Sequence, residues 1–188
     1  MKKERIAIFA SGSGTNAENI GRYFKGHPHI EVALVLTPNS KAGVLDRAKK
    51  LGIPSVVFDR SSFQEKAFLQ TLDKYQITFV VLAGFMWLVP SYLIERFPEG
   101  MVNIHPALLP KFGGKGMYGM HVHEAVLAAK ESESGITIHY VNQRYDEGTI
   151  IFQATCPIEE EDTPKRLAEK VHKLEYSHYP KVIEKLLQ

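Results

Sequence analysis

The chain alternates between short apolar runs and longer amphipathic segments. Five apolar runs, at 5–10, 30–37, 53–58, 78–83 and 101–105, lack the every-other-residue alternation of half-exposed strands. Segments with helical spacing follow the first four runs. Strands that are apolar on both faces and alternate with helices are typical of a parallel sheet covered on both sides. The pattern therefore predicts an α/β, Rossmann-like, mostly parallel sheet flanked by helices.

Several helix starts carry recognisable capping signals. Thr15 with Glu18, and Ser62 with Glu65, have the spacing of a capping box. They predict a helix starting near Asn16 and another running on through 68–75. Further helices are predicted at 41–51, 91–97 and 121–130. Thr163 followed by a proline is typical of an N-cap with proline at the first helical position, and predicts a long C-terminal helix to residue 187.

The C-terminal third departs from the strand-helix alternation. Residues 111–120 are rich in glycine and predict a mobile loop that is neither helix nor strand. Two apolar runs at 136–141 and 149–154 are joined by a connection too short for a parallel crossover. They predict an antiparallel strand pair.

Length and composition exclude several classes of protein. A chain of 188 residues fits one domain, so 1–188 is expected to be a single domain. The net charge of +2, with acidic and basic residues interspersed, argues against nucleic-acid or membrane partners. Cys156 is the sole cysteine, which excludes a disulfide framework. The opening apolar run is too short for a signal peptide, so a cytoplasmic protein is expected.

Polar and glycine-rich stretches follow three of the predicted strands, at 11–18, 84–87 and 103–110. Ligands bind outside the carboxyl ends of parallel strands, so these stretches are expected to meet in one site. The first contains Gly12-x-Gly14-x-x-Ala17, which matches a dinucleotide fingerprint, but 36–41 lacks the acidic residue that would hold the ribose. We therefore expect the loop to hold one phosphate group through backbone N–H groups and the side chains of Ser13, Thr15 and Asn16. A purely structural tight turn remains the alternative.

Asn103 and His105 are two residues apart at the end of a predicted strand, so their side chains share one face. An amide and an imidazolium that converge on one oxygen suit acyl transfer, where an oxyanion develops. No nucleophile motif is present, so the attacking group is better supplied by the substrate. A carboxylate such as Asp146 would raise the pKa of His105 and keep it protonated. A capped turn with a satisfied histidine, and an ordinary Asp turn before Gly148, remain open.

Four motifs in the right order carry a resemblance to a known family. They are Asn103-Ile104-His105-Pro106-Ala107-Leu108-Leu109-Pro110, Gly12-Ser13-Gly14-Thr15-Asn16, Leu82-Ala83-Gly84-Phe85-Met86 and Asp146-x-Gly148. Over essentially the whole chain the sequence resembles the folate-dependent formyltransferases, and among them those that act on a phosphorylated amine. The resemblance implies formyl transfer from 10-formyltetrahydrofolate to the amino group of 5-phosphoribosylglycinamide, in purine (IMP) biosynthesis.

The resemblance also implies roles for individual residues. The catalytic trio would be Asn103, His105 and Asp146. Substrate-binding positions would be Gly12, Ser13, Gly14, Thr15, Asn16, His172 and Glu175, and folate-binding positions Met86, Trp87, Leu88, Val89, Asn103 and His139. The chain departs from the family pattern at Trp87, where a basic residue is frequent, and at His172, where some members have lysine.

Other activities fit less well. A 10-formyltetrahydrofolate hydrolase is expected to carry an extra N-terminal regulatory domain, and a methionyl-tRNA formyltransferase a C-terminal tRNA-binding domain with a basic surface. A non-catalytic module that binds a phosphate ligand is the alternative from another class. The pair His121-x-His123, together with His105, suggests a zinc site. However, no third ligand stands at the spacing from this pair that a zinc site would have, so no metal is expected.

Overall fold

The strands of the protein follow the buried apolar runs of the sequence. A computed structural model describes residues 3–188, and within them seven strands form one sheet in the order β3-β2-β1-β4-β5-β6-β7. The strands are β1 (Glu4–Phe9), β2 (Ile30–Thr37), β3 (Ser55–Val57), β4 (Phe79–Leu82), β5 (Met101–His105), β6 (Glu133–Tyr140) and β7 (Ile150–Pro157).

The first five strands are parallel, and β6 and β7 are antiparallel to their neighbours. The predicted α/β fold with an antiparallel pair near the C-terminus is therefore confirmed. The pairing of β5 with β6 places Asn103 opposite His139 and His105 opposite Thr137. Two polar residues of β5 thus lie beside residues of a strand that approaches from much later in the chain.

Helices cover both faces of this sheet. They are α1 (Thr15–Tyr23), α2 (Gly43–Leu51), α3 (Arg60–Gln64), α4 (Leu69–Lys74), α5 (Ser91–Arg96), α6 (Met120–Ala128) and α7 (Pro164–Leu186), with a 3-10 helix at Lys66–Phe68. The long C-terminal helix and its Thr163 cap are confirmed, since the Thr163 side chain accepts from the Arg166 N–H. No helix among residues 3–188 is long and apolar enough to cross a membrane.

Alternate residues of the central strands enter two separate cores. Ile6 and Ile8 face α1, α2, α6 and α7, whereas Ala7 and Phe9 face α3, α4 and α5. Each of these four side chains is fully buried. A strand between two apolar layers has no polar face, which explains why these runs are continuous rather than alternating.

Both predicted capping boxes are wrong. Helix α1 begins after Gly14, whose left-handed conformation serves as the N-cap without a side-chain hydrogen bond. At the second site Asp59 caps α3 three residues earlier than expected, and its side chain accepts from the Ser62 N–H at 2.8 Å. The helix predicted to start near Ser62 and run through 68–75 is split, because the extended backbone of Glu65 ends α3 before the 3-10 helix begins.

Several predicted boundaries differ from the observed ones. Strand β3 covers three residues instead of 53–58, and β6 begins at Glu133 rather than at 136. The start of β6 gave no apolar signal because Ser134 and Gly135 are small. A Cβ at Gly135 would lie 2.0 Å from the Ala154 carbonyl oxygen, so the close pairing with β7 requires glycine. The glycine-rich segment 111–120 lies outside the strands and outside helices except at Met120, where α6 begins.

Candidate active site

One cleft lies at the carboxyl ends of the central strands. Its volume is about 670 Å³, and the three stretches expected to meet there all line it. Its walls include Gly12, Ser13, Gly14, Thr15, Asn16, Met86, Trp87, Asn103, His105, Asp146, His172 and Glu175. The sheet topology explains the meeting, because β1, β4 and β5 are adjacent and parallel and end at the same edge.

His105 is the last residue of β5 and is 3% exposed. Its Nε2 lies 2.7 Å from the Phe112 carbonyl oxygen and its Nδ1 lies 3.5 Å from Asp146 Oδ2. A carbonyl accepts and does not donate, so Nε2 carries a proton. Burial lowers the pKa of His105 and outweighs the raising effects of Asp146 and of the Phe112 carbonyl. Asp146 thus has the predicted raising effect on the pKa of His105, but desolvation of the ring exceeds the attraction of one carboxylate, so the net shift is opposite to the one expected.

Asp146 is held in the turn between β6 and β7 with φ of 58°, in the left-handed region. Its Oδ2 accepts from the Gly114 N–H at 2.9 Å, and its Oδ1 lies 3.5 Å from Asn103 Nδ2. Burial by itself raises the pKa of Asp146, but His139, His105 and the Gly114 N–H together hold it below its ordinary value. The Asp146 side chain is 10% exposed, and its carboxylate contacts the other two members of the predicted trio.

His139 lies behind Asn103 and does not line the cleft. Its Nδ1 donates to the Tyr140 carbonyl at 2.8 Å, and its Nε2 lies 3.1 Å from Asn103 Nδ2 and 3.7 Å from Asp146 Oδ1. These contacts hold the His139 ring against both the Asn103 amide and the Asp146 carboxylate. Its position in β6, directly opposite Asn103, follows from the antiparallel register.

A second polar group joins helix α1 to α7. Asn16 Nδ2 donates to Glu175 Oε2 at 2.8 Å, although 159 positions separate the two residues. Glu175 is 6% exposed, and burial raises its pKa despite the opposing effects of Asn16 and His172. The buried Oδ1 of Asn16 has no hydrogen-bond partner within residues 3–188. An unpaired acceptor of this kind is available to a ligand donor.

The stretch after β4 contributes only part of what was predicted. Met86 and Trp87 line the cleft, whereas Leu88 faces solvent and Val89 is buried in the second core. The Trp87 ring packs against Phe58 and Phe63, and the Arg60 guanidinium carbon lies 5.2 Å from its centroid. Trp87 therefore supplies an aromatic wall at the position where a basic residue is frequent in the family that the sequence resembles.

Some residues that line the cleft were not predicted as site residues. They include Arg60, Lys115, Tyr118, His123 and Tyr145. His123 is 2% exposed, and its buried Nδ1 has no partner among residues 3–188. Its only sequence signal is the His-x-His spacing, which suggests a metal motif and not a residue of the cleft. Within the described residues no group of three metal-ligating side chains is present.

The buried His123 should make the protein less stable in acid. Burial, with smaller effects of His172 and His105, lowers its pKa to about 4, against about 6.5 when unfolded. Between these values the unfolded chain binds a proton that the folded chain does not, so stability falls as the pH falls. From pH 7.5 to pH 5 this group should cost about 2 kcal/mol of unfolding free energy.

Denaturant unfolding at both pH values tests this expectation. On acidification from pH 7.5 to pH 5, the unfolding free energy of the His123→Gln variant should fall by about 2 kcal/mol less than that of the wild type. The control variant His29→Gln changes an exposed histidine, and its unfolding free energy should fall by as much as that of the wild type. Equal losses in His123→Gln and the wild type would show that His123 is not buried in the neutral form.

Comparison with known proteins identifies the family of the chain. The model of the formyl transferase family matches residues 4–183. The chain belongs to the formyl transferase family.

Individual relatives define a narrower group. The chain is 39% identical to the chloroplastic phosphoribosylglycinamide formyltransferase of Vigna unguiculata, over 100% of this chain and 62% of that protein. It is 36% identical to the phosphoribosylglycinamide formyltransferase of Bacillus subtilis, over 100% of this chain and 95% of the relative. The crystal structure of phosphoribosylglycinamide formyltransferase from Bacillus halodurans superposes with a TM-score of 0.89 at 42% identity, covering 98% and 96% of the two chains. The chain thus spans less than two thirds of the plant relative's length.

Proposed function

We propose that this protein transfers the formyl group of 10-formyltetrahydrofolate to the amino group of 5-phosphoribosylglycinamide, a step of purine synthesis. The observation that carries the proposal is that one cleft contains both the Gly12–Asn16 loop and the mutually contacting side chains of Asn103, His105 and Asp146. A phosphate anchor and an oxyanion site in one cavity suit a phosphorylated amine as acceptor. The relatives at 36–42% identity carry the same enzyme name.

In this proposal the substrate amine attacks the formyl carbon, and a tetrahedral intermediate forms with negative charge on the formyl oxygen. The bond between that carbon and N10 of the folate then breaks, N10 gains a proton and the attacking nitrogen loses one. His105 Nε2–H and Asn103 Nδ2–H are the donors to the oxyanion. In the structure His105 Nε2–H donates to the Phe112 carbonyl, and Asn103 Nδ2 lies 3.5 Å from Asp146 Oδ1. The formyl oxygen replaces these acceptors when it binds.

Asp146 has two roles in the proposed mechanism. Its carboxylate stabilises the imidazolium of His105, opposing the effect of burial on that ring. It also receives the amine proton through water. The lowered pKa of Asp146 keeps it ionised, as both roles require. General acid-base catalysis of this kind is typically worth roughly 10² to 10⁴ in rate.

The acceptor is held by the α1 side of the cleft. The loop of Gly12, Ser13, Gly14, Thr15 and Asn16 binds the phosphate, and Glu175 and His172 contact the rest of 5-phosphoribosylglycinamide. Support for this assignment comes from the Asn16–Glu175 hydrogen bond, which joins the loop to Glu175. The unpaired Asn16 Oδ1 is an acceptor, so it suits an N–H or O–H group of the acceptor substrate and not its phosphate. Glu175 therefore belongs to the same binding unit as the phosphate loop.

The folate is bound on the side of Trp87. Its pteridine contacts the 86–89 segment, with Met86 and Trp87 at the cleft surface and Leu88 and Val89 shaping the backbone behind them. His139 orients Asn103 from the rear through the 3.1 Å contact. The same proposal takes 1–188 as one formyltransferase domain that acts on small molecules in the cytoplasm and needs no metal.

A product assay with and without the acceptor tests the proposed reaction. Purified protein and 10-formyltetrahydrofolate should release tetrahydrofolate only when 5-phosphoribosylglycinamide is present, which absorbance follows directly. Release without the acceptor would indicate the hydrolase instead. Binding of the phosphorylated amine without product in either mixture would indicate a non-catalytic binding module.

A further inference from the structure

Two successive carbonyl groups of the β1–α1 loop are bonded to helix α2. The Gly12 carbonyl accepts from the Val44 N–H at 3.2 Å, and the Ser13 carbonyl accepts from Arg47 Nε at 2.8 Å. A trans peptide directs its C=O and its N–H in opposite directions. The N–H groups of Ser13 and Gly14 therefore face away from α2, and both residues line the cleft.

These N–H groups are free to bind a ligand. Neither donates to an acceptor within residues 3–188, and Gly14 directly precedes the first helical residue of α1. Helix α2 holds the loop closely, because a Cβ at Gly14 would lie 2.4 Å from the Val44 Cβ. The orientation of the peptide between Ser13 and Gly14 thus depends on what holds its carbonyl, which is the Arg47 side chain.

Arg47 also pairs with a carboxylate at the start of α1. Glu18 lies in the first turn of this helix and receives hydrogen bonds from Arg22 Nη2 at 2.6 Å and from Arg47 Nη1. A carboxylate without partners would repel an anion at the same helix start. Two guanidinium groups around Glu18 leave this end of the helix with a net positive charge.

We propose that Arg47 is a positioning residue for the phosphate of the acceptor, since it turns the Gly14 N–H toward the cleft by holding the Ser13 carbonyl. The inference rests on the proposed function and adds a residue that lies outside the cleft wall. Arg22 and Arg47 both neutralise the charge of Glu18, whereas only Arg47 donates to the Ser13 carbonyl. This difference between two arginines that both pair with Glu18 makes the role testable.

The test compares Arg47→Met with Arg22→Met in the full chain, in steady-state formyl transfer. Both variants remove one partner of Glu18, but only the first releases the Ser13 carbonyl. In Arg47→Met the KM for 5-phosphoribosylglycinamide should rise about tenfold or more, as for loss of a charge-assisted hydrogen bond. In Arg47→Met the KM for 10-formyltetrahydrofolate and kcat should change less than about threefold. In Arg22→Met both KM values and kcat should change less than about threefold.

Inorganic phosphate gives a second measurement on the same variants. As a competitive inhibitor against the acceptor, it should lose affinity in Arg47→Met by a factor similar to the rise in KM. In the double variant Arg47→Met with Glu18→Gln the KM should remain high, because the Ser13 carbonyl is still released. Return of the double variant to the wild-type KM, or equal effects of the two single variants, would overturn the proposal.

Two controls keep the outcome interpretable. If Arg47→Met does not fold, Arg47→Lys replaces it, because one ammonium group cannot hold Ser13 and Glu18 in the same fork geometry. Its acceptor KM should rise by about threefold or more, and an unchanged KM would overturn the proposal. Absence of formyl transfer in the wild type would refute the proposed function, whereas an active wild type with an indifferent Arg47 refutes only this inference.

Discussion

Replacement of His105 by asparagine should lower kcat by about 10² to 10⁴ while leaving the fold intact. The ring makes one short hydrogen bond, to the Phe112 carbonyl. It lies at the end of a strand whose core contacts come from Met101, Val102 and Ile104. Loss of the ring removes the donor to the developing oxyanion and the acid that protonates the leaving nitrogen. Because the His105 ring lies at the end of β5 and makes only one short hydrogen bond, its removal should not unfold the sheet.

The matched control is His29→Asn, which changes an exposed histidine before β2 that does not line the cleft. Formyl transfer is measured with saturating 10-formyltetrahydrofolate and purified 5-phosphoribosylglycinamide, and acceptor affinity by calorimetry. His105→Asn should keep the wild-type acceptor affinity and melting temperature, because the phosphate loop is unchanged. Retention of wild-type kcat in His105→Asn would refute the mechanism.

Much of the fold could be predicted because the central strands are buried on both faces. Continuous apolar runs such as 30–37 mark a strand, and helical spacing between them marks the crossovers. The capping boxes failed because a spacing of Ser or Thr with Glu does not say which of several polar residues caps the helix. Asp59 competes successfully with Ser62, and Glu18 is drawn into ion pairs with Arg22 and Arg47 instead of its own helix start.

The site could be predicted where its residues follow strand ends. The 12–16, 84–87 and 103–106 stretches meet because the topology of a parallel sheet brings strand ends together. Residues that arrive from helix faces, such as His123 and Arg60, carried no comparable signal. The direction of the His105 pKa could not be predicted, because it is set by burial, and burial depends on how segment 111–120 covers the ring.

Replacement of Asp146 by asparagine should lower kcat by about 10²-fold or more and shift its pH dependence. Asparagine has the same shape and tolerates the positive φ of 58° at this position, so the turn should persist. The variant removes the negative charge 3.5 Å from His105 Nδ1, which is the largest influence raising the pKa of that ring. The pKa of His105 should therefore fall further.

The sign of the shift follows from the role of His105 as an acid. If the imidazolium is the active form, the rate declines as the pH rises through the His105 pKa, and a lower pKa moves this decline to lower pH. The pH profile of kcat measures it, with Glu147→Gln as the control, since this carboxylate is adjacent in the chain but exposed and paired with Arg144. Glu147→Gln should retain the wild-type profile. A profile of Asp146→Asn that coincides with the wild type would show that Asp146 does not set the charge of His105, whatever the size of the loss in rate.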